Sequence, residues 1–339
     1  MINKFFKFCL IAASAVVLLV AGGELYWANQ PLLDAAHAPI ALSIVPGSGV
    51  RGMAQEISRQ AAAQNVSVNP LLLELLARVT GKGKRVKAGN YELKPGSTPL
   101  RLLAQLTRGE FAQESLVVIE GWTFHQMRQV IAQHPALKHD TASLTDTDLL
   151  AKITTNFTVP EGLFFPDTYL FGKGISDLVI YRQAHAMMMK KLDSAWQKRD
   201  PSLPYKTPYE ALTMASIIEK ETGQRAERGM IAGVFVNRLK SGMLLQTDPT
   251  VIYGMGDRYQ GTIHKRDLLT DTPFNTYTRA GLPPSPIALP GKAAMTAAFH
   301  PEKTDALYFV ARGDGSSVFS SSLDAHNRAV NQYQRAAAR

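Results

Sequence analysis

The sequence predicts an α+β protein that begins with a transmembrane helix. An apolar run near the N-terminus predicts the membrane segment. Further on, helical patterns of apolar residues occur together with short strands, which favours a mixed α+β architecture. The chain has 339 residues and 45% hydrophobic content. It is therefore long enough for one or two hydrophobic cores beyond the membrane segment.

The membrane segment is predicted at Phe8–Ala28. About 20 apolar residues are enough to cross a bilayer, and Lys4 and Lys7 precede this run. Basic residues on that side place the N-terminus in the cytoplasm and the rest of the chain outside the inner membrane, in a single pass. A cleaved signal peptide is the alternative. Tyr26 and Trp27 fit interfacial anchors and favour an uncleaved helix.

The amino-acid composition limits the partners and cofactors that the chain can have. The net charge of +9 and the pI near 9.5 indicate an anionic neighbourhood, such as lipid headgroups or a cell-wall polymer. No zinc spacing, RNP motif or long basic block supports nucleic acid as the partner. Cys9 is the only cysteine, which excludes an intrachain disulfide and a cysteine-based metal site. The eight histidines show no ligand spacing, so no metal or other cofactor is predicted.

A linker at residues 29–40 precedes a compact unit predicted at residues 41–112. Its predicted elements are the strand Ala41–Val45, the helices Val50–Ala63 and Pro70–Thr80, the strand Gly89–Lys94 and the helix Thr98–Thr107. Thr98 is the expected cap of the last helix.

A connecting region is predicted at residues 113–158, followed by the catalytic domain at residues 159–339. The connecting region contains a strand within Phe111–Ile119, the helix Thr123–Gln133 and a short helix at Asp146–Thr154. The helices predicted in the catalytic domain are Leu178–Arg199, Pro208–Thr222 and Arg225–Ser241, the last one stopping at Gly242.

The segment Thr207–Gly223 carries the strongest chemical signal. Thr207 and Glu210 have the spacing of a capping box, and Gly223 is a natural stop. Within this helix a glutamate, Glu219, falls on the same face as two apolar residues at positions 212 and 215. Loss of solvation there should raise its pKa, as a general acid near neutral pH requires.

This helix also allows another interpretation, and it carries a second glutamate. The helix could be an ordinary amphipathic one with Glu219 at the rim of a core. Glu221 is two residues further on, so its side chain should point the opposite way and be solvated.

Several segments of the chain together resemble the bacterial endolytic murein transglycosylases, the MltG or YceG-like family. Their order and spacing along nearly the whole chain make the resemblance specific. The segments are Val45–Gly49, Lys87–Thr98, Ile119–Thr123, Glu161–Phe171, Ile217–Thr222, Leu244–Gly254, Asp271–Gly291 and Tyr308–Val330.

The resemblance implies a lytic transglycosylase that cuts the β-1,4 bond between N-acetylmuramic acid and N-acetylglucosamine within nascent peptidoglycan strands. In this class one carboxyl protonates the glycosidic oxygen, and the C6 hydroxyl of the muramyl residue attacks C1. The products carry 1,6-anhydro ends, and no water is consumed. The resemblance assigns the general acid/base role to Glu219. A water-using muramidase and a non-catalytic peptidoglycan-binding scaffold are the alternatives.

The resemblance also implies partners. Peptidoglycan strands are the expected substrate, and peptidoglycan synthases of the penicillin-binding class are the expected protein partners. The unit at residues 41–112 resembles a LysM-like subdomain. Such a subdomain would bind glycan, or would serve only as a spacer or a partner-binding module.

Asp248 is the candidate second carboxylate. A separation from Glu219 of about 5.5 Å, or of about 6.5–9.5 Å, would favour a hydrolase. The alternative is a helix cap, with Pro249 at the first helical position.

Other residues are candidates for substrate binding, because neutral polar groups suit sugar hydroxyls and amides. Tyr253 and Tyr277 could also stack on sugar rings, with core packing as the alternative. The predicted substrate-binding residues are Gln246, Thr247, Asp248, Tyr253, Asn275, Thr276, Tyr277, Pro283 and Pro284.

The segment Gly281–Gly291 is rich in proline and cannot be a helix. It is predicted to be a stiff loop that forms a cleft wall, a packing strap, or both. His326 and Asn327 match a pair that is common in the family and are expected to be structural.

Overall fold

The fold is a mixed α+β arrangement, as predicted. The computed structural model describes residues 2–45, 47–221 and 224–335. Within these residues the strands form two-stranded sheets, and helices make up most of the regular structure. The chain divides into two compact units, Met1–Glu114 with Leu170–Lys173, and Ser115–Tyr169 with Gly174–Arg339. The domain bounds drawn from the sequence stay a prediction.

The first unit packs helices against one strand pair. Strand β1 (Ile40–Ile44) runs antiparallel to β2 (Gly89–Leu93), with Leu42 opposite Tyr91. β1 alternates buried and exposed residues, so its apolar side chains face the core. The helices are α1 (Ile2–Ala28), α2 (Val50–Ala62), α3 (Pro70–Val79) and α4 (Pro99–Arg108).

Local caps explain where these helices begin. The Asn69 side chain accepts from two backbone N–H groups at the start of α3, and Thr98 accepts from Arg101 N–H at the start of α4. Both helices carry proline at the first position, where no hydrogen-bond donor is lost. The predicted cap at Thr98 is therefore confirmed.

The predicted membrane segment lies on α1. Among the described residues, no helix is both long enough and apolar enough to cross a bilayer. The anchor at Phe8–Ala28 is therefore not confirmed and stays a prediction.

The second unit is largely helical. Its helices are α5 (Phe124–Gln133), α6 (Asp146–Ala151), α7 (Asp177–Gln197), α8 (Pro208–Glu221), α9 (Arg228–Lys240), α10 (Asp248–Met255), α11 (Lys265–Leu269), α12 (Lys292–Phe299) and α13 (Leu323–Val330). A π-helical turn, Asn331–Arg335, continues α13. Strands β5 (Tyr308–Ala311) and β6 (Ser317–Ser320) pair antiparallel. Strands β3 (Gln113–Val117) and β4 (Thr168–Gly172) form a further pair.

Helix α8 lies at the centre of the second unit. It contacts α7, α9, α10 and α12, and residues 211–218 are all buried. No broad solvent-facing side is left along this helix. Thr222 and the predicted stop at Gly223 lie outside the described residues. The stop predicted for α9 is observed, because Gly242 follows that helix with φ +68°, a conformation that glycine adopts without a steric penalty.

The start of helix α10 shows whether Asp248 is a helix cap. The residue that precedes the helix is Thr247, and Asp248 is the first helical residue, followed by Pro249. No side chain caps this helix end. The interpretation of Asp248 as a cap is therefore wrong, because its carboxylate accepts from the Tyr277 hydroxyl instead.

Candidate active site

Glu219 forms a buried ion pair with Arg228. Its Oε1 accepts from Arg228 Nη2 at 2.9 Å, and the two side chains are 5% and 9% exposed. Its Oε2 accepts from the Gly291 N–H at 2.9 Å. Burial raises the pKa of Glu219, while the Gly291 bond and the Arg228 charge oppose that rise. Both carboxylate oxygens therefore have protein partners, which join α8 to α9 and to the loop before α12.

Glu221 is half-buried and hydrogen-bonded to protein, whereas its spacing predicted a solvated side chain. Its Oε2 accepts from the Thr247 hydroxyl at 2.6 Å. Burial raises its pKa, the Thr247 bond opposes the rise, and the charge of Asp248 adds to it. The spacing argument failed because α8 is packed on several sides, so that a residue opposite Glu219 also meets protein.

A polar cleft of about 570 Å³ opens at Glu221. Within it, the Tyr277 hydroxyl donates to Asp248 Oδ1 at 2.5 Å. Gln246 holds φ +51°, a conformation uncommon for a residue with a side chain. The polar side chains that line the cleft are Glu221, Arg238, Gln246, Asp248, Tyr277, Ser317, His326 and Gln334.

The candidate second carboxylate therefore lies beside Glu221. Its charge acts on the pKa of Glu221, and the two residues line the same cleft. From the sequence, only Glu219 was considered as its carboxylate partner. The two carboxyl groups that lie close together are therefore those of Glu221 and Asp248.

A buried polar network supports the floor of this cleft. The Thr276 hydroxyl accepts from Thr247 N–H at 3.1 Å and shares a hydrogen with the Thr250 hydroxyl at 2.8 Å. The Asn275 amide donates to the Thr270 carbonyl at 2.7 Å and accepts from Tyr277 N–H at 2.8 Å. Asn275 and Thr276 are buried. Their polar groups hold the loop that presents Tyr277.

Tyr253 lies apart from this group. Its ring packs against Phe274 with centroids 4.8 Å apart, and its hydroxyl donates to Glu161 Oε2 at 3.1 Å. It lines a second cavity, of about 890 Å³, which Lys220 also lines. The predicted binding residues are thus divided between two places, with Gln246, Thr247, Asp248 and Tyr277 near Glu221.

The proline-rich loop behaves as a packing strap. The Ile287 N–H donates to the Ser216 hydroxyl of α8 at 3.0 Å, and the Leu289 N–H donates to the Trp122 carbonyl at 2.7 Å. Pro283 is buried and Pro284 is exposed. Ile287 also lines the 890 Å³ cavity, so one side of the strap is a cavity wall.

Sequence reasoning missed Glu161, which is 5% exposed. Its carboxylate accepts from Phe124 N–H at 2.9 Å as well as from Tyr253. Burial raises its pKa to about 7. The signal was present, because Glu161 stands directly before a run of apolar and aromatic residues in EGLFFP.

Arg228 and Glu227 were also missed. Glu227 accepts from both the N–H and the hydroxyl of Ser317 at 2.7 Å. These bonds attach the start of β6 to the start of α9. His326 stacks on Tyr308 with centroids 5.2 Å apart. Among the described residues, no three His, Cys, Asp or Glu side chains converge as a metal site would require.

The sequence and the fold are similar to those of known proteins. The YceG-like family matches residues 42–332, which is most of the chain. The chain belongs to the YceG-like family. A relative from Bacillus subtilis (strain 168), named endolytic murein transglycosylase, is 32% identical over 93% of this chain and 91% of its own length. The resemblance drawn from the sequence is confirmed, and so is the prediction of an enzyme of the lytic transglycosylase class.

Two more similarities agree with this family. An endolytic murein transglycosylase of Streptococcus pneumoniae serotype 2 is 28% identical over 94% of this chain, and the chain spans 63% of that protein's length. The crystal structure of a yceG-like protein from Listeria monocytogenes has a TM-score of 0.55 and 32% identity. It covers 86% of this chain and 99% of the solved chain.

Proposed function

We propose that this protein cuts peptidoglycan strands internally, at the β-1,4 bond between N-acetylmuramic acid and N-acetylglucosamine, and leaves 1,6-anhydro ends. The observation that carries the proposal is the polar cleft at Glu221. In that cleft the Glu221 carboxyl, whose pKa is raised, adjoins amide, hydroxyl and aromatic groups, which suit the hydroxyl groups and amides of a glycan backbone. The names of the relatives add the murein substrate and the endolytic mode of cutting.

The geometry favours Glu221 over Glu219 as the proton donor. A general acid must reach the substrate and hold a proton near neutral pH. Burial raises the pKa of both glutamates, so the difference between them is access, and Glu221 lines the open cleft. Glu219 has both oxygens engaged, one of them by the charged Arg228. The role given to Glu219 by the resemblance stays a prediction, and Glu219→Gln tests it beside Glu221→Gln.

In the proposed reaction, protonated Glu221 donates its hydrogen to the glycosidic oxygen as the bond to C1 breaks. The resulting carboxylate then accepts the hydrogen of the C6 hydroxyl while that oxygen bonds to C1. The Thr247 hydroxyl, which donates to Glu221, stabilises this carboxylate between the two steps. No water enters, provided that the cleft holds C6–OH over C1.

A water-using muramidase is the second candidate, and one observation favours it. Asp248 lies in the same cleft as Glu221, and a pair of carboxylates is the usual equipment of a glycoside hydrolase. The bond between Tyr277 and Asp248 would hold such a second carboxylate in place.

The location and the partners are also part of the proposal. Several apolar side chains of α1 are exposed, among them Leu18, Leu19 and Leu25, which supports an apolar environment around this helix. We place α1 in the cytoplasmic membrane, the N-terminus in the cytoplasm and the second unit outside, next to peptidoglycan synthases. Deletion of residues 1–27 should release a protein that still cleaves isolated murein.

Product mass tests the function directly. Digests of isolated sacculi should contain anhydro-muramyl ends, which are lighter by one water than hydrolysis products. Reducing muramyl ends instead would establish the muramidase. No release of fragments by the folded wild-type protein would leave only the scaffold interpretation.

A further inference from the structure

The cavity around Glu161 is distinct from the cleft at Glu221, and the proposed reaction does not use it. Its volume of about 890 Å³ is within the range of cavities that bind organic ligands. Glu161 lies in its wall, where the carboxylate is held by Phe124 N–H and by the Tyr253 hydroxyl. Tyr259 presents a second half-buried aromatic ring.

The lining of this cavity selects against anionic ligands. Acidic groups outnumber basic ones along its walls, where the ionisable residues are Asp146, Glu161, Asp257, Lys220 and His125. A phosphate or a free carboxylate would therefore meet net repulsion. The remaining groups are hydroxyl, amide, aliphatic and aromatic side chains. Such a combination suits a neutral ring with hydroxyl groups on its edge and an apolar face.

The cavity and the cleft lie on two sides of the same stretch of backbone. At the end of α8, Lys220 lines the cavity and Glu221 lines the cleft. At the start of α10, Pro249 lines the cavity and Asp248 lines the cleft. The cavity and the cleft therefore share the ends of α8 and α10 as walls, which places them next to each other.

We propose that the Glu161 cavity is a saccharide subsite, which binds an N-acetylated hexosamine of the same strand at a distance from the bond that is cut. The proposal rests on the proposed function for its polymer. The Tyr253 hydroxyl, which donates to Glu161, accepts from a sugar hydroxyl, and the Tyr259 ring packs against the sugar face. A strand held on both sides of α8 and α10 is cut internally rather than from its end.

Binding to a peptide-free probe tests this subsite without any turnover. The full-length Glu221→Gln protein is titrated by calorimetry with the hexamer of β-1,4-linked N-acetylglucosamine. Tyr259→Ala is added to this background to remove the aromatic wall. The matched control is Leu269→Ala, which also removes an exposed apolar side chain in the same unit but lines neither cavity. Thermal unfolding of each variant reports whether the fold is kept.

The expected result is a Kd for the hexamer raised about tenfold by Tyr259→Ala, with Leu269→Ala unchanged. Tyr253→Phe, which removes only the hydroxyl bound to Glu161, should weaken binding in the same direction. An unchanged Kd in a folded Tyr259→Ala protein would overturn the subsite. So would the absence of hexamer binding to the Glu221→Gln protein. Wild-type cleavage that survives Glu221→Gln would instead overturn the proposed acid and leave the subsite in place.

Discussion

Thr247 donates its hydroxyl hydrogen to the Glu221 carboxylate over 2.6 Å, and this bond ties the end of α8 to the residue that precedes α10. The same threonine donates its backbone N–H to the Thr276 hydroxyl at 3.1 Å. The orientation of Glu221 in the cleft therefore depends on the buried network beneath it. The bond is compatible with either protonation state of the carboxyl, since an oxygen accepts in both.

Glu221→Gln should abolish cleavage and keep the fold. The substitution preserves shape and an acceptor oxygen for Thr247, but it removes the transferable proton. We expect a rate loss of at least about 10²-fold, as for other general acids. The measurement is the rate of anhydro-muropeptide release from sacculi. Glu110→Gln, which changes an exposed glutamate of the first unit, is the matched control. More than a tenth of wild-type activity in Glu221→Gln would refute the assignment.

Glu219→Gln should mainly lower stability. The substitution leaves the Arg228 guanidinium buried without a counter-charge, at a cost of about 3–5 kcal/mol in the free energy of unfolding. Urea unfolding measures this loss. Glu219→Gln combined with Arg228→Gln should lose less than the sum of the two single variants, because the pair is coupled.

The same variant separates the two glutamates. In conditions where Glu219→Gln remains folded, cleavage per folded molecule should stay within about tenfold of wild type. The reason is that the variant leaves the proposed proton donor, Glu221, unchanged. A Glu219→Gln protein with wild-type stability and no activity would return the acid role to Glu219.

Asp248→Asn should change the pH profile more than the products. The proton on Glu221 must be present for cleavage, so the rate falls as pH rises through its raised pKa. The charge of Asp248 contributes to that rise. Removing the charge should therefore move the falling limb to lower pH, while products keep their anhydro ends. A loss as severe as in Glu221→Gln, together with reducing ends, would mean that two carboxylates act in a hydrolase.

Much of the fold was accessible from the sequence, because local signals set the helix ends. Thr98 caps α4 as predicted, Thr123 caps α5 at the start of a predicted helix, and Gly242 follows α9. These signals act over three or four residues and do not depend on tertiary structure. The positions of the strands were shifted by one or two residues, since strand pairing decides them.

The site was predictable only in part. The segment that carries Glu219 and Glu221 was found, but helical spacing could not tell which glutamate faces the cleft. That choice depends on Arg228, Gly291 and Thr247, which come from three distant segments. Asn275 was predicted to bind substrate, but its side-chain amide is hydrogen-bonded to backbone groups. An amide that can bind a sugar can equally well stabilise a tight loop.

Glu161 should make the folded protein less stable as pH rises toward neutrality. Its pKa is raised from an ordinary value of 4.5 to about 7 by burial, so the folded state binds its proton more tightly than the unfolded state. The stabilising effect is complete below about pH 4.5 and is lost as pH climbs through 7. The loss amounts to about 3 kcal/mol.

The variant Glu161→Gln tests this pH dependence of stability, because a glutamine side chain does not titrate. Denaturant unfolding from pH 4.5 to 7.5 should show a smaller fall in stability for the variant than for wild type. Tyr253→Phe should raise the pKa of Glu161 further, because the Tyr253 hydroxyl stabilises the ionised form, and should therefore steepen the fall near neutral pH. Parallel curves for wild type and Glu161→Gln would mean that Glu161 keeps an ordinary pKa and that another group governs the pH dependence.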